Sequence, residues 1–256
     1  MKSPETLPPF LVEVLREHLG ANVASAQKMR GGRYNSLWKV ATPSGPVAVR
    51  LGAASALELG ADRHAEVAAI RAAFPVAPTL LMADTESGWL VTEWIPGRHW
   101  SRVEAAEPVN LARMAVALAG IHATPVSTGI RRLDMRATLI RLGGRLGDEV
   151  EAFLAILEAE AAHGLCHNDP HHQNILVGDG ARIRMVDWEY AAVGECAADL
   201  AEYANAHELD AAGVGVLLDA YLEAGGQVSS NQLGAARWLC RLRNSLWDSE
   251  IKRINK

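Results

Sequence analysis

Residues 167–176 read HNDPHHQNIL: His167, Asn168, Asp169, Pro170, His171, His172, Gln173, Asn174, Ile175 and Leu176. The stretch admits two chemistries. Its three imidazoles could gather a metal ion, or Asp169 and Asn174 could do the work inside a histidine frame. A helical HExxH metal site sets two histidines one turn apart with a glutamate beside them. Pro170 disfavours a continuous helix through this cluster, and no adjacent carboxylate completes a known ligand pattern. The balance falls to the polar pair, with His167 a buried brace of the loop and His171 and His172 near its mouth or exposed.

Working outward, ILVG (175–178) and IRMVDW (183–188) are the only segments of this half that read as extended. The DGAR turn between them makes a small hairpin. Around them the pattern is helical. Leu111, Met114, Ala115, Leu118 and Ile121 recur at the spacing of one helix face, and further helices are expected near 134–143, 148–162, 197–208, 212–224 and 230–247.

The first third reads differently. FLVEVLREHL (10–19) is apolar on one side, with Gly20 as its stop signal. Strand patterns follow at 23–29, 34–41 and 46–51, then a helix over 61–73 that ends before Pro75, then strands at 79–83 and 89–94. The expected fold class is α+β and bilobal. A mostly antiparallel β lobe (1–94) passes through a hinge at Ile95, Pro96 and Gly97 (95–97) into a mostly helical lobe (98–256).

Phosphoryl transfer asks little covalent help of a protein. It needs metal ions and a cation on the phosphates, and a base beside the attacking hydroxyl. A kinase-like site draws the base from an aspartate, a metal ligand from an asparagine five positions on, and a second from an aspartate beyond the next strand. Asp169, Asn174 and Asp187 stand in that order, and the hairpin is the element that would bring Asn174 and Asp187 together. The first lobe offers the complement. Gly31 and Gly32 at a strand turn would let backbone amides approach phosphates. Arg50, near the end of a strand, would meet them as a cation, and Glu66 on the next helix could hold it, with Glu58 and Asp62 as rival partners. Main-chain groups around Glu93 and Ile95 suit an adenine edge.

The order GG…VAVR…E…TEWIPG…HNDPHHQN…VDWEYA resembles the aminoglycoside phosphotransferase and choline kinase superfamily, over about residues 25 to 205. The resemblance implies a protein-kinase-like fold and an ATP- and Mg²⁺-dependent small-molecule kinase, with Asp169 as catalytic base and Asn174 and Asp187 as magnesium ligands. The pentapeptide DWEYA (187–191) is more similar to the choline, ethanolamine and thiamine kinase branch than to the antibiotic-modifying one, and an arginine at position 50 also occurs there. Two departures stand out: Asn168 where the family has glycine, and the run Pro170-His171-His172-Gln173.

Composition narrows the partners. A net charge of −5 argues against a nucleic-acid binder and agrees with a small, cationic substrate. Choline or ethanolamine leads, ahead of thiamine, an amino sugar or an aminoglycoside; a non-catalytic nucleotide-binding scaffold is the rival of another class. Glu189 and Trp247 are the candidates for touching the substrate, while Trp188 and His122 read as core. The three cysteines, Cys166, Cys196 and Cys240, lie far apart without a CxxC, against a disulfide framework or a thiolate zinc site. MKSPETLPPF lacks the apolar run of a secretion signal and no stretch reads as a membrane span, so the expected compartment is the cytoplasm.

Overall fold

Pro9 suits the first turn of a helix, where no backbone donor is needed. The helix α1 (Pro9–Leu19) stops at Gly20, whose φ of 57° is the left-handed closure that glycine tolerates. In the computed structural model, residues 6–29, 35–52, 60–126, 128–159, 161–178 and 182–254 are described. Five strands follow the alternating patterns: β1 (Asn22–Lys28), β2 (Ser36–Ala41), β3 (Val47–Leu51), β4 (Leu80–Asp84) and β5 (Trp89–Glu93). They form one antiparallel sheet in the order β1-β2-β3-β5-β4. Alternation decides its two faces. Trp38, Val40, Val47, Val49 and Val91 pack against Leu11 and Leu15 of α1, while Leu37 and Arg50 pair across β2 and β3 toward the cleft. The helix α2 (Arg63–Ala72) lies between β3 and β4 in sequence, and the Asp62 carboxylate caps it by accepting the His64 and Ala65 N–H groups, each at 3.0 Å.

Past Ile95-Pro96-Gly97 the chain turns helical. The short strand β6 (Arg98–His99) leads to α3 (Arg102–Ala105), α4 (Pro108–His122), α5 (Met135–Arg141) and α6 (Asp148–Glu158). Then come β7 (His163–Cys166), a 3₁₀ turn (His172–Asn174), β8 (Ile175–Val177), β9 (Ile183–Met185) and β10 (Ala192–Glu195). The helices α7 (Cys196–Ala206), α8 (Ala211–Glu223) and α9 (Ser230–Ile254) close the chain. The apolar face read on α4 is buried throughout: Leu111, Met114, Ala115, Leu118 and Ile121 are all at or below 1% exposure.

The structure corrects the strand count of this half. Besides β8 and β9 there are β6, paired with β8, and an antiparallel pair of β7 with β10. HGLC and AVGE are four residues each, and β10 is buried along its whole length, so neither shows alternation. The last helix also runs beyond 247 to Ile254, because Ile251 is buried and Arg253 pairs with Glu250.

Candidate active site

The loop after β7 is held from beneath by Asp199, a carboxylate of α7 with no exposed surface. Its two oxygens accept the backbone N–H of His167 and of Asn168, both at 2.7 Å, and it meets His122 Nε2 at 3.3 Å. Asn168 takes a φ of 65°, a conformation that glycine and asparagine bear better than other residues. Its side-chain amide donates to the Tyr190 carbonyl at 3.1 Å.

His167 is the brace expected from the sequence. It is fully buried; Nε2–H donates to the Val186 carbonyl at 3.0 Å, and Nδ1 accepts the Asp169 N–H at 3.3 Å. Burial holds its pKa below the ordinary histidine value. Both nitrogens are spent, which removes it from any metal site. His171 accepts from the Gln173 N–H at Nδ1 and sets Nε2 3.4 Å from Asp169 Oδ2. His172 instead faces the His207 ring.

Asn174 donates from its amide to Asp169 Oδ2 at 2.9 Å and to the Asp169 carbonyl at 3.0 Å. The hairpin register Ile175↔Met185, extended by the Val186 N–H to the Asn174 carbonyl at 2.9 Å, sets Asn174 and Asp187 at the same end of β8 and β9. Asp187 lies two residues past the strand at φ 65°. Desolvation by the surrounding cleft walls, then the nearby Glu189 carboxylate, push its pKa up to about 7, although Arg50 pulls the other way.

Arg50 projects from β3 into the same cleft. It donates to Glu66 at 2.5 Å and to Asp187 at 3.0 Å. Burial opposes its charge, but Glu66 and Asp187 hold the pKa above the ordinary arginine value. Of the rival partners, Asp62 is engaged in capping α2 and Glu58 lies outside the described residues, as do Gly31 and Gly32.

Sequence reasoning missed Arg63. This arginine is 6% exposed and donates to both Glu66 and Glu189 at 3.1 Å. Asn35, just before β2, adds a hydrogen bond to Glu189 at 2.9 Å. Glu189, expected to meet substrate, is 4% exposed and tied into this network instead. The signal was a cation three residues before Glu66 on one helix face.

At the end of the cleft beside residues 95–97, the Glu93 N–H is spent on the Thr79 carbonyl and its carboxylate on Thr79 N–H and Arg184. Ile95 lines the cavity with no backbone hydrogen bond among the described residues. At the far end Trp247 meets Tyr190 edge-on at 5.4 Å, with Arg141 5.8 Å from its ring centre. One helical turn back, Arg243 forms a buried pair with Glu202 at 2.6 Å. The whole cleft encloses about 1200 Å³. Trp188 and His122 are core, as expected: Trp188 donates to the Met185 carbonyl, and His122 sits between Tyr221 and Asp199.

The cysteines are closer than their spacing suggested. Cys166, Cys196 and His122 bring their ligand-type atoms within 4.8 Å of one another in the core. The Cys166 thiol donates to the Gly194 carbonyl at 3.5 Å.

Residues 25–239 match the family model APH, described as the phosphotransferase enzyme family. The chain belongs to this family. It is a small-molecule phosphotransferase by descent, with the kinase-like arrangement of a five-stranded antiparallel sheet before a helical half. Comparison with curated proteins finds no match. Among solved structures, a choline/ethanolamine kinase family protein from Mesorhizobium loti is similar at 23% identity and TM-score 0.71, over 96% of this chain and 87% of that one. The choline kinase LicA from Streptococcus pneumoniae aligns at 17% identity and TM-score 0.76, over 96% and 91%; LicA has also been solved in complex with AMP. Macrolide 2'-phosphotransferase MphH from Brachybacterium faecium aligns at 22% and TM-score 0.66, over 90% and 87%. At these identities the likeness establishes the fold.

Proposed function

We propose that this phosphotransferase moves the γ-phosphoryl group of ATP to a hydroxyl of a small amino alcohol, of the choline or ethanolamine kind, in the cytoplasm. The observation that carries the reading is the convergence, in one cleft, of the Asp169–Asn174 hydrogen bond with the Arg50–Asp187 ion pair. The cleft lies between a β-rich lobe ending at 94 and a helical lobe starting at 98, joined by a hinge at 95–97.

Asp169 orients the acceptor hydroxyl and takes its proton as the phosphorus–oxygen bond forms. Asn174, through Nδ2, and His171, through Nε2, fix the carboxylate for that role. Arg50, steadied by Glu66, neutralises the non-transferred phosphates. The Ile95 backbone, without a hydrogen bond among the described residues, meets the adenine. The Glu93 amide has no part in this, being bonded to Thr79.

Magnesium suits the donors that remain. Asp187 is 37% exposed toward the cleft and crowded by carboxylates that raise its pKa, a site that gains from a divalent cation. Asn174 has spent Nδ2 on Asp169, which leaves its amide oxygen as the hard ligand. When bound, the ion supplies charge neutralisation on the phosphates.

The edge-to-face corner of Trp247 and Tyr190, with Asp169 and Asp248 on the same cavity, supports an ammonium-bearing acceptor. The names of the Mesorhizobium and pneumococcal relatives support the same class. The test is ADP release with magnesium-ATP across choline, ethanolamine, thiamine, amino sugars and aminoglycosides. Asp169→Asn should lower kcat about 10²–10⁴-fold while nucleotide binding persists. Full turnover in that variant removes Asp169 from the role.

A further inference from the structure

We infer that Arg63 is a positioning residue of the phosphate end, acting through Glu66 and Glu189 on the Arg50–Asp187 pair. The inference rests on the reading of Arg50 and Asp187 given above and adds a residue to it.

Arg63 begins α2, in the first half of the chain, while Glu189 lies two residues beyond Asp187 in the second. Their carboxylate–guanidinium contact at 3.1 Å crosses 126 residues of sequence, and neither side chain exceeds 6% exposure. The same Nη1 reaches Glu66 Oε2 at 3.1 Å, the oxygen that also receives Arg50 Nη2. One guanidinium thus fixes the partner of Arg50 and the neighbour of Asp187 together. Asn35 adds a third element by donating to Glu189 at 2.9 Å.

The backbone is shaped to admit this side chain. A Cβ on Gly52 would stand 2.2 Å from Arg63 Nη2, so a larger residue after β3 would push the guanidinium off its present path.

Charge explains why the link bears on function. Glu66, Asp187 and Glu189 are three carboxylates around Arg50, and Glu189 already attracts Arg50. A buried carboxylate stripped of its partner seeks another cation or distorts its surroundings. Without Arg63, Glu189 competes with Asp187 and Glu66 for Arg50, and draws it off the phosphates. With Arg63, Glu189 is neutralised locally and Arg50 stays aimed into the cleft. Positioning errors near 1 Å cost on the order of 10²-fold in turnover.

The experiment compares wild type, Arg63→Met, Arg63→Lys, Glu189→Gln and the Arg63→Met/Glu189→Gln double variant, each first checked for cooperative unfolding. Calorimetry reads the Kd for ADP, with and without magnesium, and the acceptor identified by the panel above gives kcat and KM. Arg63→Met should weaken magnesium-ADP binding and raise the KM for magnesium-ATP about 10–100-fold, with the acceptor KM within about 3-fold of wild type. Arg63→Lys should recover part of the loss. The double variant should be no worse than Arg63→Met, because removing Glu189 removes the stray charge. Should Arg63→Met fail to fold, the same nucleotide-specific defect in Arg63→Lys carries the test. Wild-type nucleotide constants in folded variants, or losses spread equally over acceptor and nucleotide, overturn the inference. If wild type binds magnesium-ADP yet phosphorylates no acceptor, the function proposal fails while the calorimetric arm still judges Arg63.

Discussion

Arg50 Nη1 and Asp187 Oδ1 lie 3.0 Å apart, so the cation proposed for the phosphates and the carboxylate proposed for a metal neutralise each other across 137 residues. The pair keeps a buried arginine compensated before any nucleotide arrives. It also couples two losses. Asp187→Ala removes a ligand oxygen and leaves Arg50 leaning wholly on Glu66. Calorimetry of this variant should show magnesium-ADP binding weakened at least 10-fold, with binding of metal-free ADP changed much less. Unchanged magnesium dependence would take Asp187 out of the metal site.

Asp199 does no chemistry on substrate, yet it accepts the N–H groups of His167 and Asn168 directly beneath Asp169. The carboxylate also faces His122, and burial is outweighed by His122 and then His167, so its pKa stays below the ordinary aspartate value. Asp199→Ala strands two buried amides and one imidazole. The expected cost is about 3–5 kcal/mol of stability, read by urea unfolding. A loss under 1 kcal/mol would mean that water replaces the carboxylate there.

Much of this was legible from residues alone, and the reasons differ by element. Helix α4 announced itself because an apolar residue every three or four positions has one meaning. β2 and β3 did so through alternation. β7 and β10 gave no signal, since a four-residue strand with adjacent residues buried on both faces has no period to read. In the site, the order of Asp169, Asn174 and Asp187 was visible because chain-local spacing carries it. The fate of Glu189 was not. Its neighbours in sequence are Asp187, Trp188 and Tyr190, and only the fold brings Arg63 and Asn35 onto it. Asn168 looked like a departure until its φ of 65° was seen, where asparagine is the conservative replacement for glycine.

Trp247 sits on the face of α9 shared by Arg243 and Ile251, edge-on to Tyr190. An ammonium acceptor held there loses a flat, electron-rich wall when the ring goes. For Trp247→Ala the acceptor KM should rise about 5–30-fold, in line with about 1–2 kcal/mol for a desolvated cation–π contact, while the KM for magnesium-ATP holds. Steady-state kinetics at saturating nucleotide reads this. An unchanged acceptor KM places the acceptor elsewhere in the cleft.

His207 gives the fold a dependence on acid. The ring is buried at the end of α7; Nδ1–H donates to the Tyr203 carbonyl at 2.7 Å, and Nε2 has no partner. Burial, and then the positive neighbours His172, His171 and Arg102, lower its pKa from 6.5 to about 4. A histidine in the unfolded chain binds a proton near pH 6.5, so between that value and about 4 the unfolded state holds more protons than the native one. Stability from this group is complete above pH 6.5 and drains away as the pH falls toward 4. The loss should amount to about 1–3 kcal/mol. Urea titrations of wild type and His207→Gln at pH 7.5, 6.5, 5.5 and 4.5 separate this from the carboxylates, which titrate in both proteins. The difference in unfolding free energy between the two should shift in favour of the variant as the pH drops. Parallel curves at every pH would show that His207 takes up its proton without opening the core.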